Sequence, residues 1–175
     1  TYIKGTHERH STVGDPANDD CRIDAQLVRA SVIGEGANLG ITEVAREELS
    51  LLGVALNTDA IDNSAGVNMS DYEVNLKILC QQLLADGVLA SDADRNQLLG
   101  SIVDEVSELC LQNNRAQHRS ISLDSRRANQ NLTAFRQAIL YLRRIDESPE
   151  AQAIEALILN PRSTGLTRPM LSVFQ

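Results

Sequence analysis

Two short segments hold the residues best suited to chemistry: Gly34-Glu35-Gly36-Ala37-Asn38-Leu39-Gly40 and Thr58-Asp59-Ala60-Ile61-Asp62-Asn63-Ser64-Ala65-Gly66-Val67. Glycine lets backbone approach a ligand closely. The amides of Asn38 and Asn63 each offer a donor and an acceptor, which suits an uncharged carboxamide or a ribose hydroxyl. Nicotinamide riboside presents both groups. Gly34-x-Gly36-x-x-x-Gly40 is not the Gly-x-Gly-x-x-Gly phosphate fingerprint, because its final spacing is one residue too long and no acidic ribose ligand is evident downstream. A pyrophosphate site must lie elsewhere.

Other pairings have plainer readings beside the chemical one. Asp59 and Asp62 could act as acid and base or hold a metal, but no third ligand sits at a matching spacing, so bracing the loop is the favoured reading. Asn63 could stabilise its own turn through an Asx hydrogen bond. Ser70 with Glu73 reads as a capping box as readily as a ligand contact. His7 and His10 are three apart and could share a metal, yet without a third ligand an exposed turn is favoured. No metal site is expected.

The elements that must position these residues follow from periodicity. The apolar run Val28 to Ile33 reads as a buried strand that stops at Gly34. Thr42 caps a helix with Ala45, Leu49 and Leu52 facing inward and Gly53 at its C-terminal cap. Val54 to Leu56 reads as a second strand, giving strand, helix, strand. In an open parallel sheet ligands lie outside the carboxyl ends of the strands, so both segments, with Asp59 to Asn68 as a loop, are expected at that rim.

Beyond Ser70 the period becomes helical. Tyr72, Leu76, Leu79 and Leu83 share one face before Asp86-Gly87, and Ser91 with Asp94 opens a helix with the stripe Leu99, Ile102, Val106, Leu109 and Asn113. Leu132, Phe135, Ile139 and Leu142 mark another. Ser148-Pro149-Glu150 opens a short helix through Leu159 that Asn160-Pro161 closes, and Thr167-Arg168-Pro169 starts a last one. The expected fold is therefore a helix-dominated α/β fragment. It comprises the last strand-helix-strand crossover of a Rossmann-like dinucleotide-binding sheet in residues 1–67, then a helical extension in residues 68–175.

Bulk properties narrow the function classes. The 175 residues are 42% apolar and 23% charged, as in soluble globular chains, and no apolar run approaches the roughly 20 residues that span a bilayer. A cytoplasmic location away from membranes is expected, with Cys21, Cys80 and Cys110 as reduced thiols. The net charge of -8 makes nucleic acid a poor partner. Between Arg115 and Arg144, however, there are seven arginines against one acidic residue, Asp124, which reads as a solvated face or a seam against an acidic segment or subunit. Beginning at Thr1 without a complete catalytic constellation, the chain reads as a piece of something longer.

Three ordered blocks then point to one family. Gly34-Glu35-Gly36-Ala37-Asn38, the run Asn57 to Val67, and Ser70-Asp71-Tyr72-Glu73-Val74-Asn75-Leu76-Lys77-Ile78-Leu79 resemble the end of the dehydrogenase core in large bacterial NAD-specific glutamate dehydrogenases. Val13-Gly14-Asp15, Ala17-Asn18-Asp19 and Gly165-Leu166-Thr167-Arg168-Pro169 extend the likeness. The resemblance implies hydride transfer between NAD and L-glutamate, giving 2-oxoglutarate and ammonia through an imino acid. It places Asn38 by the nicotinamide ribose and Asn63 against nicotinamide and the substrate amino group. Val67 and Ser70 match positions lining the pocket for the substrate's side-chain carboxylate. The family usually has aspartate, cysteine and histidine where this chain has Asn68, Met69 and Tyr72. Its substrate-domain lysines, catalytic aspartate and phosphate loop precede this region, so no catalytic residue is assigned here and the chain alone is expected to be inactive. The expected partners are NAD, glutamate, the rest of the parent chain and further copies in a homo-oligomer. The alternative is a non-catalytic helical interaction or regulatory module.

Overall fold

In the computed structural model, which describes residues 1–143, 149–160 and 165–174, Ile3–Lys4 (β1) is followed by the one-turn helix His10–Val13 (α1) and by Ile23–Asp24 (β2). The strands pair in parallel, with Ile3 opposite Ile23 and Lys4 opposite Asp24. Lys4 is buried, and its ammonium forms an ion pair with Asp24 at the register position the pairing dictates. A buried amine without such a partner would be costly. On the other edge of β1, Ile41 forms a further parallel bridge to Ile3, and the Thr42 amide donates to the Ile3 carbonyl at 3.0 Å.

Thr42 then starts the helix Glu43–Leu51 (α2), its hydroxyl accepting the Ala45 amide at 3.1 Å. Gly53 takes the left-handed φ of 92° that ends it, and Val54 donates back to the Leu49 carbonyl. Ala45 and Leu49 are fully buried, whereas Leu52 is exposed because it lies at the C-cap where the chain turns outward. Arg46 and Glu47 are buried as well.

The two strands expected to flank α2 in a crossover do not form as strands. Val32 and Ala55 form one isolated parallel bridge, flanked by hydrogen bonds from Ile33 to Ala55 and from Ala55 to Ser31. Neither Val28 to Ile33 nor Val54 to Leu56 forms a ladder. Val28, Ile33 and Val54 pack on a core of Ala25, Ile41, Ala45, Leu49 and Leu56, but Val32 is 70% exposed. A parallel strand is stable when both faces are covered, and here only one is. The fold is helix-dominated with a two-stranded parallel sheet.

The Asp59 to Asn68 segment is also a correction. It is helical, as the single turn Asp59–Asp62 (α3) and the start of Ser64–Ala85 (α4), not a loop. Ile61 is buried in the second core cluster, so tertiary burial overrides the loop-favouring composition. Gly87, with φ of 71°, stops α4 as its sequence predicts.

Ser91 opens Asp92–Gln130 (α5), with the Asp94 amide donating to Ser91 Oγ at 3.2 Å. The remaining helices are Leu132–Arg143 (α6), Pro149–Leu159 (α7) and Arg168–Leu171 (α8). Ser148 and Pro161, expected as boundary residues of α7, lie outside the described residues. Ile121, Ala128, Ile139, Ile158, Met170 and Leu171 build the second core around Ile61. Phe135 meets Phe174 edge-to-face with ring centroids 5.7 Å apart. Leu142 is exposed. Along α5 the buried positions run through Cys110, Ile121 and Ala128, in place of the expected Leu109 and Asn113, both exposed.

The chain divides into two units, Thr1–Asp62 with Gln117–Gln175, and Asn63–Ala116. In the first, α2 packs against β1, α7 and α8, which explains why Arg46 and Glu47 have no solvent face. In the second, α4 and the first part of α5 are tied by Asn114, whose amide donates to Ser64 Oγ at 2.7 Å, and both Cys80 and Cys110 are buried.

Candidate functional site

The Gly34–Gly40 segment is held at both ends by the turn that follows Thr58. Asp62 Oδ2 accepts the Glu35 amide at 3.0 Å, and Asp59 Oδ2 accepts the Leu39 amide at 3.0 Å. Asp59 Oδ1 also accepts the Ala60 amide at 2.9 Å. Both aspartates thus brace the loop. Between the two anchors Gly36, Ala37, Asn38 and Leu39 are exposed, and Asn38 and Leu39 have φ of 60° and 58°. Asparagine tolerates this left-handed region, but leucine there costs on the order of 1 kcal/mol or more and persists only where surroundings hold it. The Asp59 bond to the Leu39 amide is such a hold.

Beneath the loop lies a closed polar ring that sequence reasoning did not assemble. Asn57 Nδ2 donates to Asp62 Oδ1 at 3.0 Å, and Asp62 in turn holds the Glu35 amide. The Glu35 carboxylate forms an ion pair with Arg46, and Arg46 closes the circuit by donating to the Asn57 carbonyl at 2.8 Å. The Arg46 side chain is 2% exposed and that of Glu35 12%, so this pair sits where an unmatched charge would be expensive. Glu35 Oε1 is buried without a partner beside Gly40, where a Cβ would stand 3.1 Å from the carboxylate carbon. Gly40 makes the room that this carboxylate needs.

Arg168 enters the ring from the other end of the chain. Its Nε donates to Asn57 Oδ1 at 2.8 Å, one Nη to Ser122 Oγ at 2.9 Å and the other to the His118 carbonyl at 3.4 Å. Burial pushes the Arg168 guanidinium below its usual range, and the Asp62 charge works in the opposite direction. The block Gly165 to Pro169 was visible as a motif, but nothing local connects it to Asn57, which is 111 residues away.

In the second unit Asn63, Val67 and Ser70 lie at i, i+4 and i+7 along the start of α4, a spacing that puts them on one helical face. Asn63 is half-buried, while Val67 and Ser70 are exposed. Asn63 stands at the N-cap of α4 and makes no side-chain cap bond to it. Its Oδ1 occupies the space over Gly66, where a Cβ would stand only 2.7 Å away. Ser70 and Glu73 are inside the helix, which removes the capping-box reading, and Glu73 pairs with Lys77 at 2.5 Å. Met69, Leu76, Leu99, Ile102, Val103 and Val106 line an apolar pocket of about 320 Å³ between α4 and α5.

His10 contacts Arg22 through Nδ1 at 3.1 Å, and no group of three metal-binding side chains occurs among the described residues. No helix among them is long and apolar enough to cross a membrane. The three cysteines are free thiols. Within the basic stretch, Arg115 pairs with Glu108 and Arg127 with Asp124.

Residues 1–124 match the family described as bacterial NAD-glutamate dehydrogenase, catalytic domain. The chain belongs to this family. The NAD-specific glutamate dehydrogenase of Mycobacterium tuberculosis is 44% identical over 177 residues, covering 98% of this chain. The enzymes of that name from Pseudomonas aeruginosa and Halomonas elongata are each 41% identical over 178 residues, covering 99% of it. The chain spans about 11% of the length of these relatives. No solved structure matches it. In this family member the ring residues Glu35, Arg46, Asn57 and Asp62 all fall inside the matched catalytic-domain span, whereas Arg168 lies beyond it.

Proposed function

We propose that this chain is part of an NAD-dependent oxidoreductase that oxidatively deaminates L-glutamate to 2-oxoglutarate and ammonia, supplying contacts to nicotinamide and substrate but no catalytic residue. In this reading Asn38 hydrogen-bonds the nicotinamide ribose, Asn63 contacts the nicotinamide and the substrate amino group, and Val67 with Ser70 lines the pocket for the distal carboxylate. NAD supplies the hydride acceptor, and the residues of this chain orient it and the substrate. The parent enzyme is taken to be a cytoplasmic homo-oligomer, and residues 1–67 to belong to its dinucleotide-binding domain.

The observation that carries this reading is the bracing of the Gly34–Gly40 loop by Asp59 and Asp62, which holds Asn38 exposed in a left-handed turn. The donor set fits the group. A carboxamide-bearing ring needs amide partners and an apolar face, and this turn offers Asn38 beside Leu39, which is 73% exposed. In the full-length enzyme Asn38→Ala and Asn63→Ala should each lower kcat/KM for NAD-linked glutamate oxidation by about 10- to 100-fold, because misoriented reactants lose several kcal/mol of positional advantage. Unchanged kinetics in both variants would reject the assignment.

A non-catalytic helical interaction module is the second reading, favoured by exposed apolar side chains on α4 such as Val74, Ile78 and Leu79. Titrating the chain with NAD and with candidate partner chains separates the two. Saturable NAD binding lost on replacing Asn38 or Asn63 supports the first, and partner binding lost on replacing Ile78 and Leu79 supports the second.

A further inference from the structure

We infer that Arg168 is a positioning residue for the Gly34–Gly40 loop, because its guanidinium anchors the Asn57 amide that sets Asp62 against the Glu35 amide. A guanidinium has five N–H donors and no acceptor, so the atom of Asn57 that meets Arg168 Nε at 2.8 Å must be the carbonyl oxygen. That leaves Nδ2 for Asp62, at 3.0 Å, and a carboxylate accepts it. The polarity runs on without a break: Asp62 Oδ2 takes the Glu35 amide, also at 3.0 Å. With no donor at position 168 the amide oxygen loses its anchor, the Asn57 side chain can leave its position, and the Nδ2 bond that sets Asp62 against the Glu35 amide weakens with it.

Arg168 is itself held rigidly. Thr167 caps α8 by accepting the Met170 amide at 3.2 Å, Pro169 sits in the first turn, and Met170 and Leu171 are fully buried in the core. Ser122 and the His118 carbonyl fix the remaining guanidinium nitrogens. A residue that only stapled α8 to α5 would have the same contacts with Ser122 and His118 but would have no effect on the loop. The effect on the loop stands by itself, whereas any effect on NAD rests on the role proposed above for Asn38.

The test is peptide-resolved hydrogen exchange on the full-length protein, with NAD kinetics measured in parallel. Arg168→Leu should speed exchange of the Glu35 to Leu39 amides about tenfold or more, as expected for loss of a partly buried hydrogen bond to a carboxylate. Arg168→Lys keeps a donor for Asn57 and should restore most of that protection despite losing the forked contacts to Ser122 and His118. Asn57→Asp, which places an acceptor against Asp62 while Arg168 remains, should expose the same amides and serves if Arg168→Leu does not fold. A raised KM for NAD in Arg168→Leu alongside faster loop exchange supports both the positioning role and the Asn38 assignment. Faster exchange with unchanged NAD kinetics keeps the positioning role and removes the Asn38 assignment. Unaltered Glu35 to Leu39 exchange in Arg168→Leu, or in Asn57→Asp should the former not fold, overturns the inference.

Discussion

Gly66 is subject to two opposed effects within one helical turn. Glycine inside a helix is worse than alanine by roughly 0.5–1 kcal/mol, so Gly66→Ala should hold or raise the melting temperature. The added methyl, however, would stand 2.7 Å from Asn63 Oδ1 and must push that amide aside. If Asn63 contacts nicotinamide, the full-length Gly66→Ala enzyme should gain or keep stability while losing about tenfold in hydride transfer. Retained activity together with retained stability would count against the Asn63 assignment. Asp62→Asn tests the brace instead. An amide at 62 can accept from only one of Asn57 Nδ2 and the Glu35 amide, leaving a partly buried donor unmatched at a cost of about 1–3 kcal/mol. Chemical denaturation would read this as a lower midpoint with unchanged slope. Asn38 and Asn63 were legible as candidates because a side-chain amide beside glycines suits close approach of a ligand, although the run after Asn63 is helical and not a turn. Arg46 was not, because nothing in a helical pattern announces that an arginine will be buried.

Caps and stops were the most legible features at the level of elements, since they depend on a few neighbouring residues. Thr42, Gly53, Gly87 and Ser91 act where the sequence predicts. Thr42→Ala should cost about 1 kcal/mol through loss of the cap. Thr167→Ala should cost more: both hydroxyls cap a helix and donate to a carboxylate, but Glu47 beside Thr167 is fully buried, whereas Glu8 beside Thr42 is only half-buried. Thermal unfolding of the two variants should therefore rank Thr167→Ala below Thr42→Ala. On α4 the Lys77 ammonium, through its hydrogen bond and then its charge, holds the Glu73 carboxyl below the ordinary 4.5. The pair's contribution is thus complete above that value and fades as pH falls through the lower folded value. Carboxyl titration followed by NMR should show a depressed midpoint for Glu73 that returns to normal in Lys77→Ala. The start of α4 was misjudged because Asp59 to Asn68 has a turn-like composition. Burial of Ile61 and the bond from Asn114 to Ser64 supply what local propensity does not.

The second unit leaves much apolar surface exposed, including Val74, Ile78, Leu79, Val88 and Leu111, which a stable monomer would ordinarily cover. The 175-residue chain taken alone should therefore bind a hydrophobic dye or self-associate. Ile78→Glu with Leu79→Glu should reduce either signal without altering helical content, as judged by dye fluorescence, light scattering and circular dichroism. In the first unit, α7 and α8 pack on α2, so the last elements of the chain complete the shell around Arg46 and Glu47. The same folding back carries Arg168 to Asn57.

By itself the sequence determined most of the helices, several of their caps, the family and the Gly34–Gly40 turn that bears Asn38, because each of these is encoded within a few turns of chain or in contiguous blocks. Only the tertiary structure decided that Asp59 and Asp62 clamp the Gly34–Gly40 loop, that Val32 and Ala55 make one bridge and no ladder, and that Arg168 completes the ring around Asn57. Hydrogen-bond partners separated by 20 to 111 residues are chosen by burial, where a polar group must find whichever complementary atom the packing brings within reach.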